Sequence, residues 1–350
     1  MRVLTVRLAA ILLLAALSCV PALAAAQDAA PSANATTLEK VRARGHLVCG
    51  SSHPLPGFAE QSDKGLWSGF DVDVCRAVAA AVFGDPNLVE FRPLSGDARF
   101  AQLQTGELDL LARDAAWNMR RDTGYGVHYV ATSFFDGQGF LVPQSLGAVS
   151  AFELKGVSVC VVDDSDELAR IRQFFFENQA SYSEVLYEDP EDLAVAYRAG
   201  LCNAISARAS WLHAIQRNMS DPKAHRILPE RISKAPLGPV VRDGDRQWFN
   251  IVRWTVFALI DAEELGVTSA NLDSMANTKT PAIRELLGLD GDFGKALGLK
   301  KDWMNTVIRS VGNYGEIYDR NFGAGTGAPM PRGQNALWTK GGLLFAPPVR

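Results

Sequence analysis

Along most of the chain, short apolar runs alternate with stretches in which apolar side chains recur every third or fourth position, the marks of buried strands and one-faced helices. Residues 46–49 read as a first buried strand. Asp71 is placed to cap a helix that carries Val74, Val78, Ala81 and Val82 on one face and stops at Gly84. Residues 107–112 read as a strand running into a polar turn at Arg113 and Asp114. A second set opens with the strand 157–162 and continues through a helix over 168–176, a strand at 184–187, a helix over 190–199 and a strand at 203–206. Residues 236–242 read as extended. Asp245 then caps an amphipathic helix with Trp248, Val252, Val256, Leu259 and Ile260 facing inward. After Gly266 come shorter helices and a Gly/Pro-rich tail, and no segment repeats another. The alternation predicts an α/β fold with a mostly parallel sheet. Two such sets, with a late segment free to return to the first, predict two lobes joined by two crossings and a ligand held between them.

Length and composition sharpen this picture. The chain has 350 residues, 47% hydrophobic and 21% charged, with a net charge of −4, which suits two lobes with real cores rather than a disordered chain. No basic run points to nucleic acid. Arg2 and Arg7 precede the apolar run 8–17, and the small residues up to Ala26 fit cleavage before Gln27. Residues 1–26 are therefore expected to be a signal peptide and 27–37 a flexible leader, with the rest exported to the periplasm. The alternatives, a membrane anchor or a lipid on Cys19, fit less well, because the apolar run is short and the residues before Cys19 make a poor lipoprotein signal. Cleavage leaves Cys49, Cys75, Cys160 and Cys202, an even set that in an exported chain favours disulfides and allows three pairings. The five histidines are scattered, and neither a metal site nor a cofactor is expected.

Several stretches, in this order, resemble one family. They are residues 56–58 (Pro-Gly-Phe), 69–78 (from Gly-Phe-Asp to Ala-Val), 136–140 (Asp-Gly-Gln-Gly-Phe), 236–239 (Pro-Leu-Gly-Pro), 247–249, 262–271 and 335–348. Together they are similar to the general L-amino acid-binding proteins of polar amino acid ABC importers, within the type II periplasmic binding protein superfamily. The resemblance implies lobe 1 over residues 38–141, lobe 2 over 142–238, and a return to lobe 1 with a helical C-terminal extension over 239–350. It places the hinge strands near 140–143 and 238–241. It also implies disulfides Cys49–Cys75 and Cys160–Cys202, one in each lobe, each contributing about 3 kcal/mol by restricting the unfolded chain; four buried thiols are the alternative.

An α-amino acid needs a planar cation for its carboxylate and an acid for its ammonium. The resemblance assigns the carboxylate to Arg121, whose alternative is a surface ion pair with Asp122 or Asp114. Trp117 precedes it, as a ligand-packing ring or a core residue, and Phe58 and Trp67 fall at cleft-wall aromatic positions with the same core alternative. The sequence then departs from the family. Asp114, Ala116 and Asn118 replace the usual Asn and Thr positions, and the Gly-Thr-Thr-Thr helix start becomes Asp164, Ser165, Asp166 and Glu167. Arg208 stands where the family carries its ammonium-binding Asp. The exchanged charges suggest that Asp114 and Arg208 approach each other across the cleft, with Arg121 near Asp114. The other reading is that Arg208 neutralises Asp164, Asp166 and Glu167 within lobe 2.

The expected function is a monomeric receptor that passes an amino acid or related small polar solute to importer membrane subunits. One alternative is a sensor that kept the shell and lost the ligand. A second is an enzyme, since this fold also hosts a dehydratase and Asp163, Asp164, Asp166 or Glu167 could act as a general acid. No histidine or hydroxyl nucleophile converges with those acids in the sequence, so no catalytic residue is assigned.

Overall fold

The computed structural model describes residues 35–52, 55–94, 98–163, 165–326 and 329–350. The expected signal segment and most of the leader lie outside these residues, as does Asp164. The end of the leader is already anchored: Thr36 and Glu39 form a reciprocal cap on helix Thr37–Arg44, and the Thr37 N–H donates to the Asp245 carboxylate at 2.7 Å.

In chain order the strands are β1 (Leu47–Ser52), the short ribbon β2 (Glu60–Gln61) and β3 (Trp67–Ser68), β4 (Val89–Leu94), β5 (Leu110–Leu111), β6 (Val127–Tyr129), β7 (Phe134–Asp136), β8 (Gln138–Pro143), β9 (Val157–Val162), β10 (Tyr182–Tyr187), β11 (Ala204–Arg208), β12 (His225–Ile227), β13 (Ala235–Leu237) and β14 (Val240–Arg242). They build two five-stranded sheets, ordered β4-β1-β5-β14-β6 and β10-β9-β11-β8-β12, one in each lobe. Each has a parallel centre, β4-β1-β5 and β10-β9-β11, and antiparallel strands at its other side. Along β9, Val159 and Val161 face one apolar layer and Cys160 the other, the two-residue period of a strand covered on both sides. The fold is thus the two-lobed type II binding-protein fold.

Between the sheets, β7 and β13 pair antiparallel, Phe134 opposite Leu237 and Asp136 opposite Ala235. This ribbon carries the chain out of lobe 1 and back. Because all of β8 belongs to the second sheet, the first crossing falls at residues 136–138, a few positions before the expected 140–143. Both crossings are tight. A Cβ on Gly137 would collide with the Ser233 backbone, and one on Gly238 with the Ala131 carbonyl.

Helix Arg246–Glu264 supplies the spine of lobe 1. Asp245 caps it by accepting from the Trp248 N–H at 2.9 Å, and Trp248, Ile251, Val252 and Val256 are buried along it. Helices Trp303–Val311 and Tyr314–Phe322 close the same core, where each large apolar side chain contributes about 2 kcal/mol on burial. The C-terminal extension also braces the hinge ribbon from behind. Asn335 accepts from the Phe135 N–H at 2.6 Å and donates to the Phe135 carbonyl at 2.9 Å. The Tyr314 hydroxyl donates to the Ser133 carbonyl at 2.8 Å.

Disulfides Cys49–Cys75 and Cys160–Cys202 are present, with Cα separations of 6.3 and 5.7 Å, one in each lobe. Three local expectations change. Gly69, not Asp71, is the N-cap of helix Phe70–Phe83, because the Asp71 carboxylate is taken by the Asp114 N–H. The strand read over 107–112 shrinks to Leu110–Leu111, since Glu107 and Leu108 turn back to the Gln102 carbonyl. The extended segment 236–242 divides at Gly238 and Pro239 into β13 and β14. Among the described residues no helix is long and apolar enough to cross a membrane.

Candidate functional site: the inter-lobe cleft

The carboxyl ends of β5 and β11 face one another across a cavity of about 580 Å³. Lobe 1 contributes Arg99, Arg113, Asp114, Ala116, Trp117, Asn118 and Arg121 to its wall, and lobe 2 contributes Gln138, Ser165, Asp166, Glu167, Arg170, Glu191, Ser206, Arg208 and Trp211.

The segment after β5 is folded tightly. Asp114 takes a left-handed backbone, φ 48°, which Asp tolerates better than most residues. Its N–H donates to the buried Asp71 carboxylate at 2.7 Å. Ala116 pairs with Leu237 and the Trp117 N–H donates to the Pro236 carbonyl at 2.7 Å, tying this wall to the hinge ribbon. Asn118 then caps helix Met119–Gly124 by accepting from the Arg121 N–H. The Arg121 guanidinium is steadied through Nη1, which donates to the Ala116 carbonyl at 3.0 Å, and the Tyr129 hydroxyl donates to the same oxygen at 2.9 Å. Trp117 stacks on Tyr129, rings 5.4 Å apart and nearly parallel, while also bordering the cavity, so it serves the wall and the core at once. On the other side Ser165 caps helix Asp166–Glu177: its Oγ accepts from the Leu168 N–H and donates to the Val162 carbonyl. Asp166 lies exposed at the lip.

Two aromatics follow the other of their two readings and stay away from the cavity. Phe58 is 1% exposed, with its ring 5.1 Å from Phe134 and 5.0 Å from Phe322; it is a core residue of lobe 1. Trp67 packs against Phe91 at 5.6 Å on the β2–β3 ribbon and does not border the cavity. Sequence can place an aromatic residue in a lobe, but the turn of the backbone decides which way the ring points.

The exchanged charges do meet. Arg208 Nη1 donates to the Asp114 carboxylate at 2.5 Å and to the Asp114 carbonyl at 3.2 Å, from one lobe to the other. Burial lifts the Asp114 carboxyl to about 6, against the pull of Arg208. Behind it, burial and then the Asp114 charge lift Asp71 to about 7. Burial works against the Arg208 charge, but the Asp114, Asp136 and Glu167 carboxylates outweigh it and hold the guanidinium above its ordinary value. Glu167 thus contributes to the field around Arg208, while the direct contact goes to Asp114. A second ion pair, Arg217–Glu60 at 3.0 Å, joins the lobes at another edge.

Sequence reading passed over Arg99, Arg113, Arg170, Glu191 and Gln138. A usable signal existed for Gln138, the polar opening residue of the otherwise apolar strand 138–143.

Residues 47–324 match the bacterial extracellular solute-binding proteins, family 3. The general L-amino acid-binding periplasmic protein AapJ of Rhizobium johnstonii is 46% identical over 323 residues, 92% of this chain and 95% of that protein. The glutamate/glutamine/aspartate/asparagine-binding protein BztA of Rhodobacter capsulatus is 46% identical over 322 residues, again 92% and 95%. An ABC transporter periplasmic binding protein from Brucella ovis, solved with glutathione bound, superposes with a TM-score of 0.83 at 45% identity, covering 90% of this chain and all of that one. With the matched region spanning both sheets and the cleft between them, the chain belongs to the bacterial extracellular solute-binding proteins, family 3.

Proposed function

We propose that this chain is a periplasmic receptor that captures an amino acid or related small polar solute and delivers it to the membrane subunits of an ABC importer. It works as a monomer, without catalytic turnover, after residues 1–26 are removed. The observation that carries the reading is the cavity of about 580 Å³ between the lobes, with Arg121 on its wall. Arg121 receives the ligand carboxylate, because a guanidinium offers two parallel N–H donors to a planar anion. Trp117 flanks the apolar part of the ligand, and Ser165 and Asp166 close over it from lobe 2. The ligands named for AapJ, BztA and the Brucella protein are amino acids and a γ-glutamyl peptide. All carry carboxylate and ammonium groups, which supports a ligand of that kind here.

A thermal-shift series tests the reading, with the L-amino acids, dicarboxylates, glutathione and polyamines as probes. A carboxylate-bearing probe is expected to raise Tm progressively with concentration, as mass action requires. Arg121→Ala is expected to remove that response while leaving unliganded stability within about 1 kcal/mol of the parent. No response to any zwitterion or carboxylate would overturn the receptor reading in favour of a sensor that has lost its ligand.

A further inference from the structure

We infer that Gln138 receives the ammonium group of the ligand, taking over the task that the family resemblance places at position 208. The inference rests on the receptor reading and deepens it. Gln138 opens β8 and stands directly opposite Arg208 on β11, so the two side chains share a face of the second sheet and both border the cleft. Arg208 is committed to Asp114 across the cleft and, as a cation, repels an ammonium.

Gln138 is 1% exposed. Its Nε2 donates to the Glu167 carbonyl and to Ser206 Oγ, both at 2.9 Å. Ser206 Oγ spends its own proton on the Gly139 carbonyl at 3.0 Å, so it can only accept from Gln138. Two acceptors on one end of the amide fix its orientation, and the nitrogen cannot be exchanged for the oxygen. The other end, Oε1, is buried and has no hydrogen-bond partner among the described residues. Buried carbonyl oxygens are ordinarily bonded, and this one, on a residue that borders the cavity, leaves a place for a donor from the ligand. The local charge selects which donor. On the lobe 2 side Asp166, Glu167 and Glu191 balance Arg170, Lys234 and the paired Arg208, whereas on the lobe 1 side Arg99, Arg113 and Arg121 outnumber Asp114. That polarity fits a ligand with its carboxylate toward lobe 1 and its cationic amine toward Gln138 on lobe 2. Gln138 Oε1 supplies the directed acceptor, and the acids of lobe 2, with Asp114 on Arg208, offset the cations around it.

Calorimetric titration of the full mature protein tests this with probe pairs that differ only in the amine: L-glutamate against glutarate, and glutathione against glutaryl-cysteinylglycine. The wild type is expected to bind the amine-bearing member of a pair at least about tenfold more tightly. Gln138→Met, similar in shape but without the acceptor, is expected to bring the two members within about threefold of each other, the larger loss falling on the amine-bearing one. Urea unfolding and far-UV circular dichroism of the ligand-free Gln138→Met protein separate loss of recognition from loss of folding, and the wild-type comparison decides the case should that variant misfold. A wild type that prefers no amine-bearing member overturns the inference without any variant. So does an undiminished preference in Gln138→Met. In either case, binding that still depends on Arg121 leaves the receptor reading standing.

Discussion

Asp71 shows how much this cleft asks of single residues. Its carboxylate is buried, accepts from the Asp114 N–H, and faces the Asp114 carboxylate with Arg113 and Arg208 nearby. In the unfolded chain it loses its proton near 3.8, in the folded chain near 7. Between those values the native state holds more protons than the unfolded state, so stability falls as pH rises from about 4 to about 7 and then levels off. Asp71→Asn keeps an oxygen for the Asp114 N–H and removes the charge. It is expected to be more stable than the parent by on the order of 2 kcal/mol at pH 8 and nearly equal to it at pH 4. Urea titrations at the two pH values check this; an equal difference at both would show that the carboxylate is not protonated on folding.

At the scale of elements, what could be read from the chain was what depends on near neighbours. The Asp245 cap and the spacing from Trp248 to Ile260 specify a helix wherever the chain goes, and the valines of 157–162 make a strand that is buried on both faces. The family motifs, read in order, gave the lobes and the cysteine pairs. What escaped was relational. The break at Gly238 depends on the Ala131 carbonyl more than a hundred positions earlier. Phe58 and Trp117 are both aromatic, and only the packed structure sends one wholly to the core and leaves the other between core and cleft. Gln138 looked like part of a motif until Ser206 and Glu167 were seen to fix its amide. The brace on the hinge ribbon is relational too, and its strength can be measured. Asn335→Ala leaves the Phe135 N–H and carbonyl without their partners, at an expected cost of about 2 kcal/mol in denaturant unfolding. Faster hydrogen exchange is expected at residues 133–136, and unchanged exchange there would show that the ribbon holds itself.

The whole molecule is poised by contacts that cross between lobes. Arg208–Asp114 imitates a ligand by joining opposite walls of the cleft, and Arg217–Glu60 joins them at another edge. Desolvation offsets much of the attraction in the buried pair, yet about 1–2 kcal/mol is enough to move an open–closed balance roughly tenfold. Arg208→Ala is therefore expected to enlarge the radius of gyration of the ligand-free protein in small-angle scattering, and an unchanged radius would show that the pair does not hold the empty lobes together. The hinge these pairs act upon has a history in time as well as a place in space. Phe135 and Asn335 are 200 positions apart. A chain that emerges amino end first therefore has both sheets available long before the residue that steadies the ribbon between them. In its youth the receptor has its strands but not the helices that close lobe 1, and only a nearly finished chain can acquire the stiffness that makes closing a choice between two states.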